Sequence, residues 1–235
     1  MNILILGSAP DVTRCRDWPR APFDRIVAIN NAWRVRPDWD ALIHPWDFPA
    51  ERLPATPTGR LVTETDFVPA QNAYGGFVYA GATMAFTTAY WALKEYNPRV
   101  LAFLGCDMIY PKTGATHFYG MGSPDPLRPD ITLQSLEAKS ARLRILAARQ
   151  GCAVVNLSTA PSRLMLPRAT ATTLPRCPAP HHSPDAALAR EKRLDYRVPS
   201  GRYWEELDRF DAAELAALDA LWRRAGALGK GAEAA

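Results

Sequence analysis

The chain is expected to fold as an α/β protein: a Rossmann-like, mostly parallel sheet with flanking helices, followed by a C-terminal Pro-rich and helical extension. Three observations lead there. Short Ile/Val/Leu-rich runs at Asn2–Leu6, Arg25–Ile29, Ala41–Ile43 and Val100–Leu104 are apolar after the opening Asn2 and Arg25, as in strands covered on both faces. Helical patterns at 82–96 and about 132–150 fall among the later runs, so strand and helix alternate in the manner of right-handed parallel crossovers. From residue 161 onward proline recurs at 161, 167, 175, 178, 180 and 184, which excludes regular helix or a central strand there.

Each element has a local cause. Residues 2–6 form an Ile/Leu run closed by Gly7, and Gly7-Ser-Ala-Pro-Asp11 makes a sharp turn. The second and third runs end in polar residues, Asn30-Asn31 and His44, and 61–63 is a fourth strand candidate. Residues 82–96 are rich in Ala and aromatics without internal Gly or Pro, the pattern of a well-buried helix, with Pro98 just beyond its end. Leu133, Leu136, Leu143 and Leu146 place an apolar stripe between charged positions, so 132–150 reads as an amphipathic helix capped by Gly151. Residues 152–156 are a further strand, and the sheet is expected to end near 160. Asp211-Ala-Ala-Glu214 is an N-cap with a carboxylate at the third position, opening a helix through about Arg224. Residues 1–160 are therefore expected to form a Rossmann-like nucleotide-binding domain. Residues 161–235 then supply a lid over the rim or a homo-oligomerisation arm, with aromatics at Tyr203, Trp204, Phe210 and Trp222.

Composition narrows the class. With 48% apolar and 22% charged residues among 235, the chain is a globular protein rather than a disordered one. Its apolar runs are far shorter than the ~20 residues of a membrane helix, and no secretory h-region follows Met1, so a cytoplasmic protein is expected. The net charge of +4 suits an anionic ligand, whereas the scattered basic residues carry no nucleic-acid motif. The four cysteines lack CxxC spacing and are expected to be buried thiols; His181-His182 have no ligand partners at metal spacing, and no metal site is expected.

In an open parallel sheet, ligands bind outside the carboxyl ends of the strands. Gly7-Ser8, Asn30-Asn31, His44 and Gly105-Cys106-Asp107 would stand there together. Gly7-Ser-Ala-Pro has neither the GxGxxG spacing nor the Lys-Ser/Thr of a P-loop. The turn Gly81-Ala82-Thr83 opens the Ala-rich helix, where either a phosphate could approach free N–H groups or the helix simply packs tightly on a strand. The polar stretch from Asp107 through Tyr110 to Thr116-His-Phe-Tyr-Gly120 joins a strand to a long connection, and His117 is its general-base candidate.

In their order, 2–10 (NILILGSAP), 26–31 (IVAINN), 41–45 (ALIHP), 81–104, 105–110 (GCDMIY) and 117–120 (HFYG) resemble the motifs of bacterial sialyltransferases, over about residues 1–160. Similar elements occur in 6-hydroxymethylpterin diphosphokinase-like Rossmann domains. The resemblance implies a metal-independent glycosyltransferase with no cofactor beyond its nucleotide-sugar donor, CMP-linked, and a glycan hydroxyl as acceptor. It implies Gly7, Ser8, Asn30, Asn31, His44, Gly81 and Thr83 as nucleotide-site residues, Asp107 as the acid of a Gly-x-Asp element, and Tyr110 and Tyr119 on the leaving phosphate. The family's catalytic His position, four residues after His117, holds Met121, so the base falls to His117. Two other readings follow from the same residues. A Mg²⁺-dependent phosphotransferase would use Asp107 with Asp47 or Asp125, and a non-catalytic nucleotide-binding or assembly module would need no base at all.

Overall fold

A computed structural model describes residues 1–111, 113–121, 129–175 and 183–227. Six parallel strands, β1 (Asn2–Leu6), β2 (Arg25–Ile29), β3 (Ala41–Ile43), β4 (Arg60–Val62), β5 (Val100–Leu104) and β6 (Ala153–Asn156), lie in the order β4-β3-β2-β1-β5-β6. Every adjacent pair is parallel. After β1 the chain builds outward on one side to β4, then crosses back to place β5 on the other side of β1. The order of strands reverses there, at the position where doubly wound sheets bind their ligands.

Strand side chains alternate between two apolar layers. Ile3, Ile5, Val27, Ile43, Leu101 and Phe103 face α1 (Glu64–Asn72), α3 (Met84–Tyr96) and α4 (Leu136–Ala148). Leu4, Leu6, Ile26, Ala28, Leu42 and Leu104 face the other way, onto Val12, Cys15, Phe23 and Trp39 from the short connections after β1 and β2. Both faces are therefore dry, which is why the strands read as unbroken apolar runs. Among the described residues no helix is long and apolar enough to cross a membrane, and Cys15, Cys106 and Cys152 are buried cysteines. Cys177, His181-His182, Pro178, Pro180 and Asp125 lie outside the described residues.

The expected helix at 132–150 is broken at its start. Asp130 caps a 3-10 turn at Ile131–Leu133 by accepting from the Thr132 N–H at 2.7 Å. Ser135 then caps α4 anew, its Oγ accepting from the Ala138 N–H at 3.1 Å. Nor is α4 amphipathic in space: Lys139 and Arg142, on its polar side, are 7% and 3% exposed. A third layer covers them, built from α2 (Phe77–Ala80), α5 (Asp185–Leu194) and α6 (Ala212–Ala225), with Val78, Tyr196, Phe210, Leu218 and Trp222 packed against Ala138 and Ile145.

Residues beyond 160 also reach the sheet. The Asn156 N–H donates to Pro167 O at 2.9 Å and Ala169 N–H to Asn156 O at 3.2 Å, adding a parallel bridge beside β6 beyond the edge expected near 160. Leu164 and Leu166 enter the α-helical side of the core. Helix α1 has no counterpart among the sequence expectations because Pro69 sits inside it, although the Thr63/Asp66 capping box marks its start. Gly226, beyond the helix expected to run through about Arg224, is docked: its N–H donates to Trp222 O at 2.9 Å and its carbonyl accepts from Arg144 at 2.5 Å.

The Asp211 cap behaves as its spacing suggests, Oδ1 accepting from the Ala213 and Glu214 N–H groups at 2.7 and 2.9 Å. Asp211→Ala is expected to lower stability by about 1 kcal/mol, read as a shifted urea midpoint at unchanged slope. An unmoved midpoint would mean that packing alone starts α6.

Candidate functional site

The strand register brings the carboxyl ends level. Leu6 lies beside Ala28 and Leu104, and Ile29 beside Ile43, so Gly7, Asn30, His44 and Gly105 follow one another along a single rim. At the reversal point the two glycine turns are in direct backbone contact. Gly7 N–H donates to Leu104 O at 2.8 Å and Ala9 N–H to Gly105 O at 2.9 Å. A Cβ on residue 7 would stand 2.2 Å from Gly105 O, so only glycine fits. The Ser8 carbonyl accepts from Phe118 N–H at 2.9 Å, which straps the His117–Gly120 segment across this point.

Helix α3 runs back from the rim to the start of β5, so its N-terminus stands on the carboxyl side, above β1 and β2. Thr83 opens it in extended conformation without a side-chain cap, leaving N–H groups of the first turn for another acceptor.

Two independent features concentrate on this rim. The first is backbone strain: among the described residues five non-glycine residues have positive φ, of which Asn97 and Asp195 are ordinary left-handed helix caps. The other three, Asn30 (51°), Ala82 (85°) and Met108 (58°), follow β2, open α3 and follow β5. Such conformations cost about 1–3 kcal/mol each and persist where surrounding structure imposes them. The second is unmet hydrogen bonding. Among the described residues, buried side-chain atoms without a partner include Asn30 Oδ1, Asn31 Oδ1, Thr83 Oγ1 and Asp107 Oδ2. Asn31, Thr83 and Asp107 are 3%, 7% and 3% exposed, where an unmade hydrogen bond costs about 1–3 kcal/mol. All four atoms are acceptors, and a ligand rich in N–H and O–H donors would satisfy them.

Asp107 is held from one side only. Its Oδ1 accepts from Asn156 Nδ2 at 2.8 Å, and the Arg168 guanidinium stands 3.9 Å away. Asn156 Oδ1 in turn accepts from the Ser158 N–H at 2.9 Å, which fixes the amide orientation. Sequence reading missed both Asn156 and Arg168; the polar end of β6, matching Asn30 at the end of β2, was the available signal. Burial and the Asp107 charge push the adjacent Cys106 thiol well up, so it remains protonated.

His117 is 7% exposed, with Nδ1 2.8 Å from Thr116 Oγ1. Burial holds its imidazole below the ordinary 6.5, so it is neutral at pH 7 and able to accept a proton. Tyr119 stacks on it at 5.0 Å and Tyr110 lies at 6.4 Å. His44 is turned into its own turn, Nδ1 3.0 Å from Pro45 O and ring 5.7 Å from Phe48. Gly81 ends α2 through a 2.7 Å bond to Phe77 O, and a Cβ there would stand 2.6 Å from the same oxygen.

A cavity of about 780 Å³ lies beside the rim, between the Pro45–Asp47 turn, α1, the start of α3 and residues 200–205. Of the residues expected in the nucleotide site Thr83 lines it, as does Asp47, the carboxylate named for the Mg²⁺ alternative. Thus the structure brings Gly7, Ser8, Asp107 and His117 around the reversal point and Asn30-Asn31 next to it, with Thr83 between this group and the cavity. Among the described residues no three His, Cys, Asp or Glu side chains are grouped as metal ligands. Comparison with protein-family models, curated proteins and solved structures returns no match.

Proposed function

We propose that the rim binds the nucleotide portion of a nucleotide-sugar, CMP-linked, and that the chain transfers the sugar to a glycan hydroxyl without a metal. The observation that carries this reading is the set of buried, unpartnered acceptors on Asn30, Asn31, Thr83 and Asp107 at the strand-order reversal. A ribose and a cytosine supply hydroxyl and amino donors of the kind these atoms lack.

In the transfer step, His117 takes the proton from the acceptor hydroxyl as its oxygen bonds to the anomeric carbon. The bond from that carbon to the phosphate oxygen breaks, and its electron pair leaves with the phosphate. The Tyr110 and Tyr119 hydroxyls and the first N–H groups of α3 are the donors assigned to the departing charge. Asp107, fixed by Asn156, orients the donor rather than moving a proton.

Thermal unfolding with CMP, UDP, GDP and ATP tests the nucleotide assignment. CMP at 100 times its Kd is expected to add about 2.7 kcal/mol, selectively and with EDTA present. A response abolished by EDTA would replace this reading with a Mg²⁺-dependent phosphotransferase; no response to any nucleotide would overturn it. A second reading, nucleotide binding without transfer, is favoured by Met121, a 78% exposed side chain with no titratable proton at the position the resemblance gives to the base.

A further inference from the structure

The cavity beside the rim has a character opposite to that of a phosphate site. Among the described residues its charged lining comprises Asp47, Glu64, Glu205 and Arg202. Glu205 is paired to Arg202 at 3.5 Å, and Glu64 accepts from the Trp46 N–H. Three carboxylates to one guanidinium leave the lining net negative, which disfavours an anion there. A neutral ligand whose groups both donate and accept escapes that penalty and serves carboxylate and guanidinium alike.

Two indoles complete the site. Trp46 and Trp204, from turns 158 residues apart, are 74% and 51% exposed and both line the cavity. One exposed tryptophan means little, but two on the walls of one cavity present uncovered apolar faces to whatever enters. Trp204 is also carried on a fixed support. Tyr203 beside it stacks on Phe77 at 4.8 Å and donates to Asp130, while Asn72 Nδ2 donates to Pro199 O at 2.8 Å. Beyond Trp204 a second hollow of about 350 Å³ shares Tyr203 and Trp204 with the first and continues toward Asp130 and Leu207.

We propose that these adjoining hollows bind an uncharged oligosaccharide, with sugar rings stacked on Trp46 and Trp204 and hydroxyls bonded to the Asp47, Glu64 and Arg202–Glu205 groups. The C–H face of a pyranose is attracted to the negative face of an indole, and its hydroxyls serve carboxylate and guanidinium alike. Two hollows meeting at one indole accommodate more than one ring. Thr83 lies at the junction of cavity and rim, so a saccharide held here would lie beside the nucleotide site; that it is the acceptor rests on the transfer reading above.

The test is a printed array of neutral, sialylated and amino-bearing oligosaccharides probed with the full chain, followed by titration calorimetry with the best neutral glycan. Binding confined to neutral glycans is expected, weakened about tenfold or more by Trp204→Ala and by Trp46→Ala and retained in Trp204→Phe. Both indoles are exposed, so circular dichroism of the variants should match the parent. Absence of neutral glycan binding, preference for charged glycans, or indifference to both alanine substitutions overturns the proposal. CMP-induced stabilisation measured on the same samples keeps the two readings apart. Neutral glycans bound without a CMP response uphold the saccharide site and remove its acceptor role, whereas a CMP response without glycan binding removes the site alone.

Discussion

Replacing His117 by Ala is expected to lower sugar transfer by about 10²–10⁴-fold while leaving CMP-induced stabilisation in place. The two readouts separate because the proposed nucleotide contacts lie on Asn30, Asn31, Thr83 and Asp107, whereas His117 stands on the strap between Thr116 and Tyr119. Burial lowers the imidazole from its ordinary 6.5, so the neutral, proton-accepting form persists to lower pH than in a free histidine. The acid limb of the transfer rate is accordingly expected below pH 6.5, and it should vanish in the alanine variant. The same shift acts on folding: the unfolded chain takes up its proton first, so this residue makes the fold less stable as pH falls through 6.5 toward the lower folded value. Turnover unchanged by His117→Ala would remove the base assignment, whereas a CMP response with no turnover in the parent chain would leave the Met121 reading in its place.

Arg142→Met is expected to cost about 3–5 kcal/mol of stability. The guanidinium is 3% exposed and spends its donors on Glu191 at 2.7 and 2.9 Å, Tyr90 Oη at 2.8 Å and Tyr74 O at 2.6 Å. Trp222 Nε1 donates to the same Glu191 at 2.8 Å, so one ion pair ties α4 to α3, α5 and α6. Burial works against the charge on Arg142, but Glu191 and Tyr90 outweigh it and raise the pKa. Methionine fills much of the volume yet strands a carboxylate that is 8% exposed. Urea denaturation of Arg142→Met, Glu191→Leu and the double variant checks this. The double variant should recover much of the loss, because the penalty is an uncompensated charge rather than a missing attraction. A single-variant cost below about 1 kcal/mol would refute the account.

Local pattern was enough to place most of the sheet. Four strands, β1, β2, β3 and β5, have the bounds expected from their apolar runs, since strands covered on both faces need every side chain apolar whatever their neighbours are. The same patterning shows which strand ends are polar, so the rim residues Gly7, Ser8, Asn30 and Asp107 can be named from the chain alone. Their chemistry depends on what surrounds them. That Asp107 is held by Asn156, that Asn30 and Ala82 are strained, and that His44 turns onto Pro45 are consequences of strand order and packing. The polar side of α4 belongs to this class too. Lys139 and Arg142 have the spacing of a solvated face, and only the layer brought by α5 and α6 makes them interior. The saccharide cavity lies furthest from any sequence pattern, because Trp46 and Trp204 meet only after the chain has crossed the sheet and returned. Periodicity records what a residue does for its own helix or strand; contacts between distant segments are set by the path of the chain, and no short window contains it.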